Sequence, residues 1–495
     1  MSATRRFLRL GVAVLAATVA SHASGASRLV AAQEGSPTKG LIRKNQVPVS
    51  DQILKITLPK PAEAVLASGL RLIVLEDHRL PQIAFQLVIP GAGGYADPPD
   101  QPGLAAFTAA LMREGTATRT STQIAQQLEI MAATLNFTAG NSNEAIISGS
   151  SLSDQAVGLI DLAADLLLHP SFPDDEVGRF KQRTRATLAQ QRANPAFLAA
   201  EMFSRAIYGS HPAARISPTV AAVDSLKRAD VVAFHRAHYH PDLAVLAIAG
   251  DVSMFQARFV VESKLKEWAR PAAPTTAAVP EPAPVDAAKM YFIGRPDSVQ
   301  SNLVVGTSAI ERTNPDFEVL SIMNKIVGGV PTGRLFMHLR EEKGYTYDAR
   351  STLDARQHRG DWSATTSVRT EVTGPALGDL LEEVRQLREI QVSDQELADA
   401  KRSMVASFAL SLESPAQLLS LSLTQWRYKL PANYWDKYAE RIMAVTKEEI
   451  QNAARKYLAQ DRMQIVVVGD PARALEPLKA LGPVEMFDGD GAKTP

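Results

Sequence analysis

The chain repeats itself, and no other feature of the sequence constrains its fold as tightly. Asp174-Asp175-Glu176-Val177 followed by Lys181 reappears as Asp394-Gln395-Glu396-Leu397 followed by Lys401, an offset of 220. Asn194-Pro195-Ala196 with Tyr208 matches Ser414-Pro415-Ala416 with Tyr428 at the same offset, and Gly250-Asp251 matches Gly469-Asp470 at 219. Landmarks sharing one offset mark an internal duplication, so whatever one half folds into the other must fold into as well. Residues 269–288 carry five prolines and, apart from two valines, no large apolar residue, the composition of an extended linker.

Within each half, strand and helix periodicities alternate. Leu70–Leu75 and Ile83–Val88 are β-rich runs, and Leu303-Val304-Val305 reads as a strand in the second half. Ile124, Leu128, Met131 and Leu135 recur at helical spacing behind the cap-forming Thr120 and Ser121. Val157, Ile160, Ala164 and Leu167 form a second stripe, and Leu377, Leu380, Leu381, Val384 and Leu387 a third. Each half closes with a helix running into an apolar strand, Ala244–Ala249 and Met463–Val468. The expected class is α+β, with two duplicated domains that each pack an antiparallel sheet against helices. The expected division is a lead at 27–50, domains at 51–268 and 289–485, the linker between them, and a tail at 486–495.

Composition removes several chemistries. Lys+Arg of 53 balances Asp+Glu of 53, so no net field draws the chain to nucleic acid or an anionic membrane, and binding of nucleic acid is not expected. With no cysteine there are no disulfides, thiolate zinc sites or cysteine nucleophiles. Residues 1–26 place Arg5, Arg6 and Arg9 before the apolar run Leu10–Ala20 and a small-residue stretch, the order of a secretory signal peptide. The expected location is the periplasm or outside the cell, with no stable membrane span after cleavage. An uncleaved N-terminal anchor facing the periplasm is the alternative.

Several motifs carry a resemblance. Gly103-Leu104-Ala105, Gly115-Thr116, the strand-plus-Gly-Asp endings, the run Gly328-Gly329-Val330-Pro331-Thr332-Gly333-Arg334-Leu335-Phe336 and the segment Leu339-Arg340 to Tyr345-Thr346-Tyr347 occur in order. Together they resemble the insulinase (pitrilysin, mitochondrial-processing-peptidase-like) family of inverzincin metallopeptidases, over about residues 51–480. In active members H-x-x-E-H lies between Gly-Leu-Ala and Gly-Thr: two imidazoles one turn apart hold zinc, and the Glu is the general base. Here Ala106, Ala109 and Ala110 occupy those three positions. The third ligand would fall near 183–187, which reads Arg183-Thr184-Arg185-Ala186-Thr187. Methyls and guanidiniums cannot coordinate zinc, so no metal or other cofactor is expected in this chain. His235, His238 and His240 cluster where a helix ends; they read either as a metal-binding group or as favourable charges at a helix C-terminus.

The resemblance implies that the second half keeps what the first has lost. In the family the motif's Arg and Tyr, here Arg340 and Tyr347, reach into a chamber closed by a second shell, bind the peptide and stabilise its carbonyl as it becomes an oxyanion. Their other reading is structural, with Arg340 paired to Glu341 or Glu342 and Tyr347 starting a half-buried strand. The segment 139–144 falls near the place where relatives offer a strand edge to peptide. A chain of this size corresponds to one half of a clamshell. The implied role is the non-zinc subunit of a heterodimeric periplasmic peptidase acting on peptide or unfolded polypeptide, inactive alone, with zinc in an H-x-x-E-H-bearing partner. A catalytically inactive, peptide-binding or scaffolding pseudopeptidase is the alternative.

Overall fold

The computed structural model describes residues 58–270 and 278–494; the expected signal peptide and lead lie outside them. In the first half the order is β1 (Ala62–Val65), β2 (Arg71–Glu76), β3 (Gln82–Pro90), α1 (Leu104–Met112), α2 (Ser121–Ile130), β4 (Thr134–Ala139), β5 (Glu144–Leu152), α3 (Ala156–Leu168), α4 (Asp174–Ala193), α5 (Pro195–Tyr208), α6 (Val220–Ser225), α7 (Arg228–His238), β6 (Val245–Gly250) and α8 (Met254–Lys264). The second half repeats it: β7 (Lys289–Gly294), β8 (Gln300–Ser308), α9 (Phe317–Val327), α10 (Arg334–Phe336, continued by a π-helix at Met337–Glu342), β9 (Thr346–Asp354), β10 (Asp361–Arg369), α11 (Thr373–Glu389), α12 (Asp394–Ser411), α13 (Pro415–Arg427), α14 (Tyr438–Ala444), α15 (Lys447–Tyr457), β11 (Gln464–Gly469), α16 (Pro471–Lys479) and β12 (Val484–Phe487).

Two six-stranded sheets result, ordered β1-β2-β6-β3-β5-β4 and β12-β7-β11-β8-β10-β9. The mixed helix-and-sheet class is as expected. Most pairs are antiparallel, but β2–β6, β7–β11 and β7–β12 are parallel. Such pairs need crossovers, and the helical stretches of each half supply them. The outer position held by the early strand β1 in the first sheet is held by the late strand β12 in the second. The segment expected as a tail therefore starts inside a strand, and Thr494 N–H donates back to the Met486 carbonyl (2.9 Å).

Local chemistry sets the boundaries. Thr120 caps α2 in a reciprocal box with Gln123. The helix stops at Ile130, and Ala132, at φ 47°, turns the chain. Leu135, expected on the helical stripe, instead lies buried on β4, so its spacing from Met131 is coincidental. Asn194 and Ser414 each precede a proline at the first turn of α5 and α13, where the missing N–H costs nothing.

Those two helices interlock the halves. α5 leaves the first half and lays Leu198, Met202, Phe203 and Ile207 against Ile293, Val304, Val466 and Val468 of the second sheet. α13 does the reverse, placing Leu418, Leu419 and Leu423 on Ile73, Val88, Val245 and Ala247 of the first. The opposite face of each sheet packs on its own half's helices. β6 and β11 are accordingly buried at every position and read as unbroken apolar runs. Gly306 is required where Phe203 meets β8, since a Cβ there would come within 2.6 Å of that ring and 2.3 Å of the Trp362 carbonyl oxygen. Among the described residues no helix is long and apolar enough to cross a membrane.

A polar seam also joins the halves, where loops beside α5 meet the β9–β10 hairpin. His358 Nδ1 donates to the Arg359 carbonyl (2.7 Å), so its Nε2 accepts from the Tyr95 hydroxyl (2.8 Å), which in turn accepts from Arg356 (2.9 Å). His211 accepts the Ala213 N–H at Nδ1 (3.1 Å) and donates from Nε2 to the Pro280 carbonyl (2.9 Å). Both rings, 4.5 Å apart, are thereby held neutral. Arg356, paired with Asp354, lies beside them, as do Glu281 and the Tyr208–Asp361 hydrogen bond. Burial lowers the pKa of His211 and His358, and of His235 and His238 elsewhere.

A depressed histidine pKa means that the unfolded chain binds the proton first. Stability is therefore expected to fall as pH drops below about 7 through the unfolded value of about 6.5. Asp361, pushed up to about 6 by burial, has the opposite sign, its contribution being lost as pH rises through that value, so it offsets the histidines below about 6. Denaturant unfolding between pH 7.5 and 6 measures the slope, and His211→Asn with His358→Gln is expected to flatten it. An unchanged slope in that double variant would assign the effect to His235 and His238.

Candidate functional site

α10 is anchored from below. Leu335 and Leu339 are fully buried, Arg334 forms a two-pronged pair with Glu396 (2.7 and 3.1 Å), and His338 Nδ1 lies 2.7 Å from Glu383. The helix then widens: the Lys343 N–H reaches the His338 carbonyl (3.0 Å), the spacing of a π-turn. This widened turn presents Arg340 outward beside the start of β9. Gly328 and Gly333 serve close approach, not a left-handed turn, because a Cβ on Gly328 would lie 2.6 Å from the Ser351 nitrogen. Tyr345 packs against the second core, and Gly344, at φ 60°, lets the chain pass from helix to strand.

The structure brings Arg340 and Tyr347 together. The guanidinium lies 4.8 Å from the Tyr347 ring centroid and 4.6 Å from that of Phe336, held by cation–π attraction. Its nearest carboxylate, Glu341, is 3.6 Å away, longer than a hydrogen bond. Tyr347 is 84% exposed rather than half-buried, because it sits on the outermost strand of its sheet. Among the described residues neither the guanidinium nor the phenol hydroxyl makes a hydrogen bond. Two adjacent donors are thus free to meet an incoming acceptor.

Ala106, Ala109 and Ala110 lie on α1, Ala109 buried and Ala106 exposed. The helix start is held by Asp97, whose carboxylate accepts from the Gly103 and Ala105 N–H groups (2.6 and 2.7 Å), and burial pushes its pKa up to about 6. Gly103 needs its missing side chain at φ 96°. Facing α1, α4 contributes Phe180, edge-on to Phe107 at 5.5 Å, and Arg183, which reaches Glu114 (3.2 Å) and lies over Phe180. Aromatic packing and a guanidinium stand where the zinc chemistry would need imidazoles and a carboxylate, and these residues do not fit the metal.

The histidine cluster does not converge. His235 Nε2 bonds the Leu167 carbonyl and His238 Nδ1 the Gly91 carbonyl, each at 2.8 Å. Both rings stack on neighbours, Tyr239 and Phe234. Among the described residues no three His, Asp or Glu side chains are placed to hold a metal ion. Excess zinc is expected to leave the thermal midpoint of the purified chain unchanged, since only a ligand bound to the folded state raises it. A zinc-dependent rise in a calorimetric scan would reveal a site that these side chains do not provide. Residues 140–143 form the turn between β4 and β5, and the open strand edge, Thr134–Ala139, runs directly into that turn.

The fold and both halves of the chain match known proteins. The model described as Insulinase (Peptidase family M16) matches residues 72–217, and that described as Peptidase M16 inactive domain matches 225–404. A crystal structure titled peptidase M16 inactive domain from Pseudomonas fluorescens is 28% identical, covering 83% of this chain and 98% of that one at a TM-score of 0.77. An uncharacterized zinc protease of Mycobacterium tuberculosis is 25% identical over 83% of this chain and 93% of its own length. A Helicobacter pylori protein described as a non-peptidase homolog is 22% identical over 80% of this chain and 90% of its own. With both halves matched, the repeat in place and the motif order intact, the chain belongs to the insulinase family, peptidase family M16, as a peptidase-like member.

Proposed function

We propose that this chain is the non-zinc-binding subunit of a heterodimeric periplasmic metallopeptidase and supplies Arg340 and Tyr347 to the active site of a homologous H-x-x-E-H subunit. The observation that carries the reading is the pair itself: two adjacent donors without hydrogen bonds, Arg340 half-buried and Tyr347 exposed, fixed by a buried helix base. Donors pre-set in this way stabilise a peptide carbonyl most when it gains negative charge, which is differential binding of the transition state. Nothing on α1 can activate water, so hydrolysis must come from the partner. The signal-like segment 1–26 supports export to the periplasm.

The test is recovery of the tagged full chain from its own host, identification of the bound proteins, and assay of the complex on a fluorogenic unfolded polypeptide. Recovery of an H-x-x-E-H chain, with chelator-sensitive activity that neither chain shows alone, is the expected result. A partner fully active by itself would overturn the reading. A second reading, peptide holding or scaffolding without contributing to turnover, is favoured by alanine at all three positions where the resemblance puts the zinc motif, with no replacement on α4. It predicts a stable complex whose turnover is indifferent to Arg340.

A further inference from the structure

A cavity of about 410 Å³ opens beside Tyr347 on the sheet face that α5 covers elsewhere. Under α5 that face is apolar. Beyond the helix the outward positions become Asn302 on β8, Thr365 on β10, and Asp348 and Arg350 on β9. The floor is small: Ala196 and Ala200, one turn apart on α5, leave the space open.

Three properties define what fits. Among the described residues the Asn302 carboxamide and the Thr365 hydroxyl make no hydrogen bond, so their capacity is unspent. Asp348 and Arg350 carry opposite charges, their nearest charged atoms 3.8 Å apart, so the lining has no formal net charge. The matching positions of the first sheet, placed by strand register, are Ser148 for Thr365, Ser150 for Ser367 and Ala84 for Asn302, so hydroxyls recur on both sheets while the carboxamide is particular to the second. A volume in the range of ordinary ligand sites, with neutral hydrogen-bonding walls and an alanine floor, suits uncharged polypeptide and disfavours a charged side chain.

We infer that this cavity is a subsite for an extended, uncharged peptide segment, held by Asn302 and Thr365 while its neighbouring carbonyl lies at Tyr347. The inference rests on the proposed function for its ligand class but is testable without turnover. Fluorescence anisotropy of the full chain alone with a labelled neutral Ser/Asn/Ala-rich peptide is the experiment. Ala200→Phe, which fills the cavity, and Asn302→Leu, which keeps the volume and removes the hydrogen bonds, are each expected to weaken binding by about tenfold. Replacing central peptide residues with Asp or Lys is expected to do the same. A thermal scan of each variant establishes that it is folded.

Unchanged affinity in both folded variants, or no binding of the neutral peptide by the native chain, overturns the subsite. The two ideas fail separately. Loss of binding in Ala200→Phe together with a complex whose turnover ignores Arg340 keeps the subsite and removes the catalytic reading; the reverse pattern removes the subsite alone.

Discussion

In the assembled peptidase, Arg340→Ala is expected to lower kcat/KM by about 100- to 1,000-fold, the loss that follows removal of one pre-set oxyanion donor, about 2.7–4 kcal/mol. The fall should appear mainly in kcat, because the lost interaction strengthens as the carbonyl gains charge. Arg340→Lys should recover little: an ammonium neither stacks flat between the Phe336 and Tyr347 rings nor reaches with a fork of donors. Tyr347→Phe keeps the ring that holds the guanidinium and removes only the hydroxyl, so it separates stacking from donation. Complex formation, followed by size-exclusion chromatography, should be unaffected by all three. Native turnover in Arg340→Ala would reduce the pair to surface packing.

The second large effect is on stability. Glu144, at the first residue of β5, meets Arg427, the last residue of α13, in a two-pronged contact with Nε 2.7 Å from Oε1. The side chains are 8% and 20% exposed, so removing one partner leaves the other charge largely desolvated. Glu144→Gln is expected to destabilise the chain by about 3–5 kcal/mol, the cost of one buried uncompensated charge. The double variant Glu144→Leu/Arg427→Met should recover most of that, since paired removal leaves no orphan. Denaturant midpoints of the native chain and the two variants measure it. A double variant no better than Glu144→Gln would mean that the pair fixes the geometry of the seam.

The parts of this architecture that local chemistry determines were readable in advance. The 220-residue offset, the Thr120 cap, the apolar runs on β6 and β11 and the stripe on α11 each follow from short-range rules. The exchange of α5 and α13 did not follow, because two helices descended from one ancestor carry equivalent apolar faces and nothing in either marks which sheet it covers. Leu135 misled for a related reason: its spacing suits a helix, but Ala132 turns the chain, and a positive φ at alanine leaves no sequence signal. Arg340 and Tyr347 were found through motif order alone. Their juxtaposition depends on a π-turn that composition does not announce. The seam of Tyr95, His211, Arg356 and His358 was missed because residues distant in the chain and of unremarkable type acquire meaning only when two loops meet.

The traded helices also bear on how such a chain could have arisen. A solitary ancestral unit of this design would have carried one sheet face with no cover and one apolar helix with nothing to lie on. Two copies swapping that helix would close both at once. A covalent link through the proline-rich stretch at 269–288 keeps the two halves at high local concentration, which favours this exchange within one chain. The halves are free to diverge in their chemistry while remaining bound to each other's architecture, because the roof over each sheet is supplied by the other half.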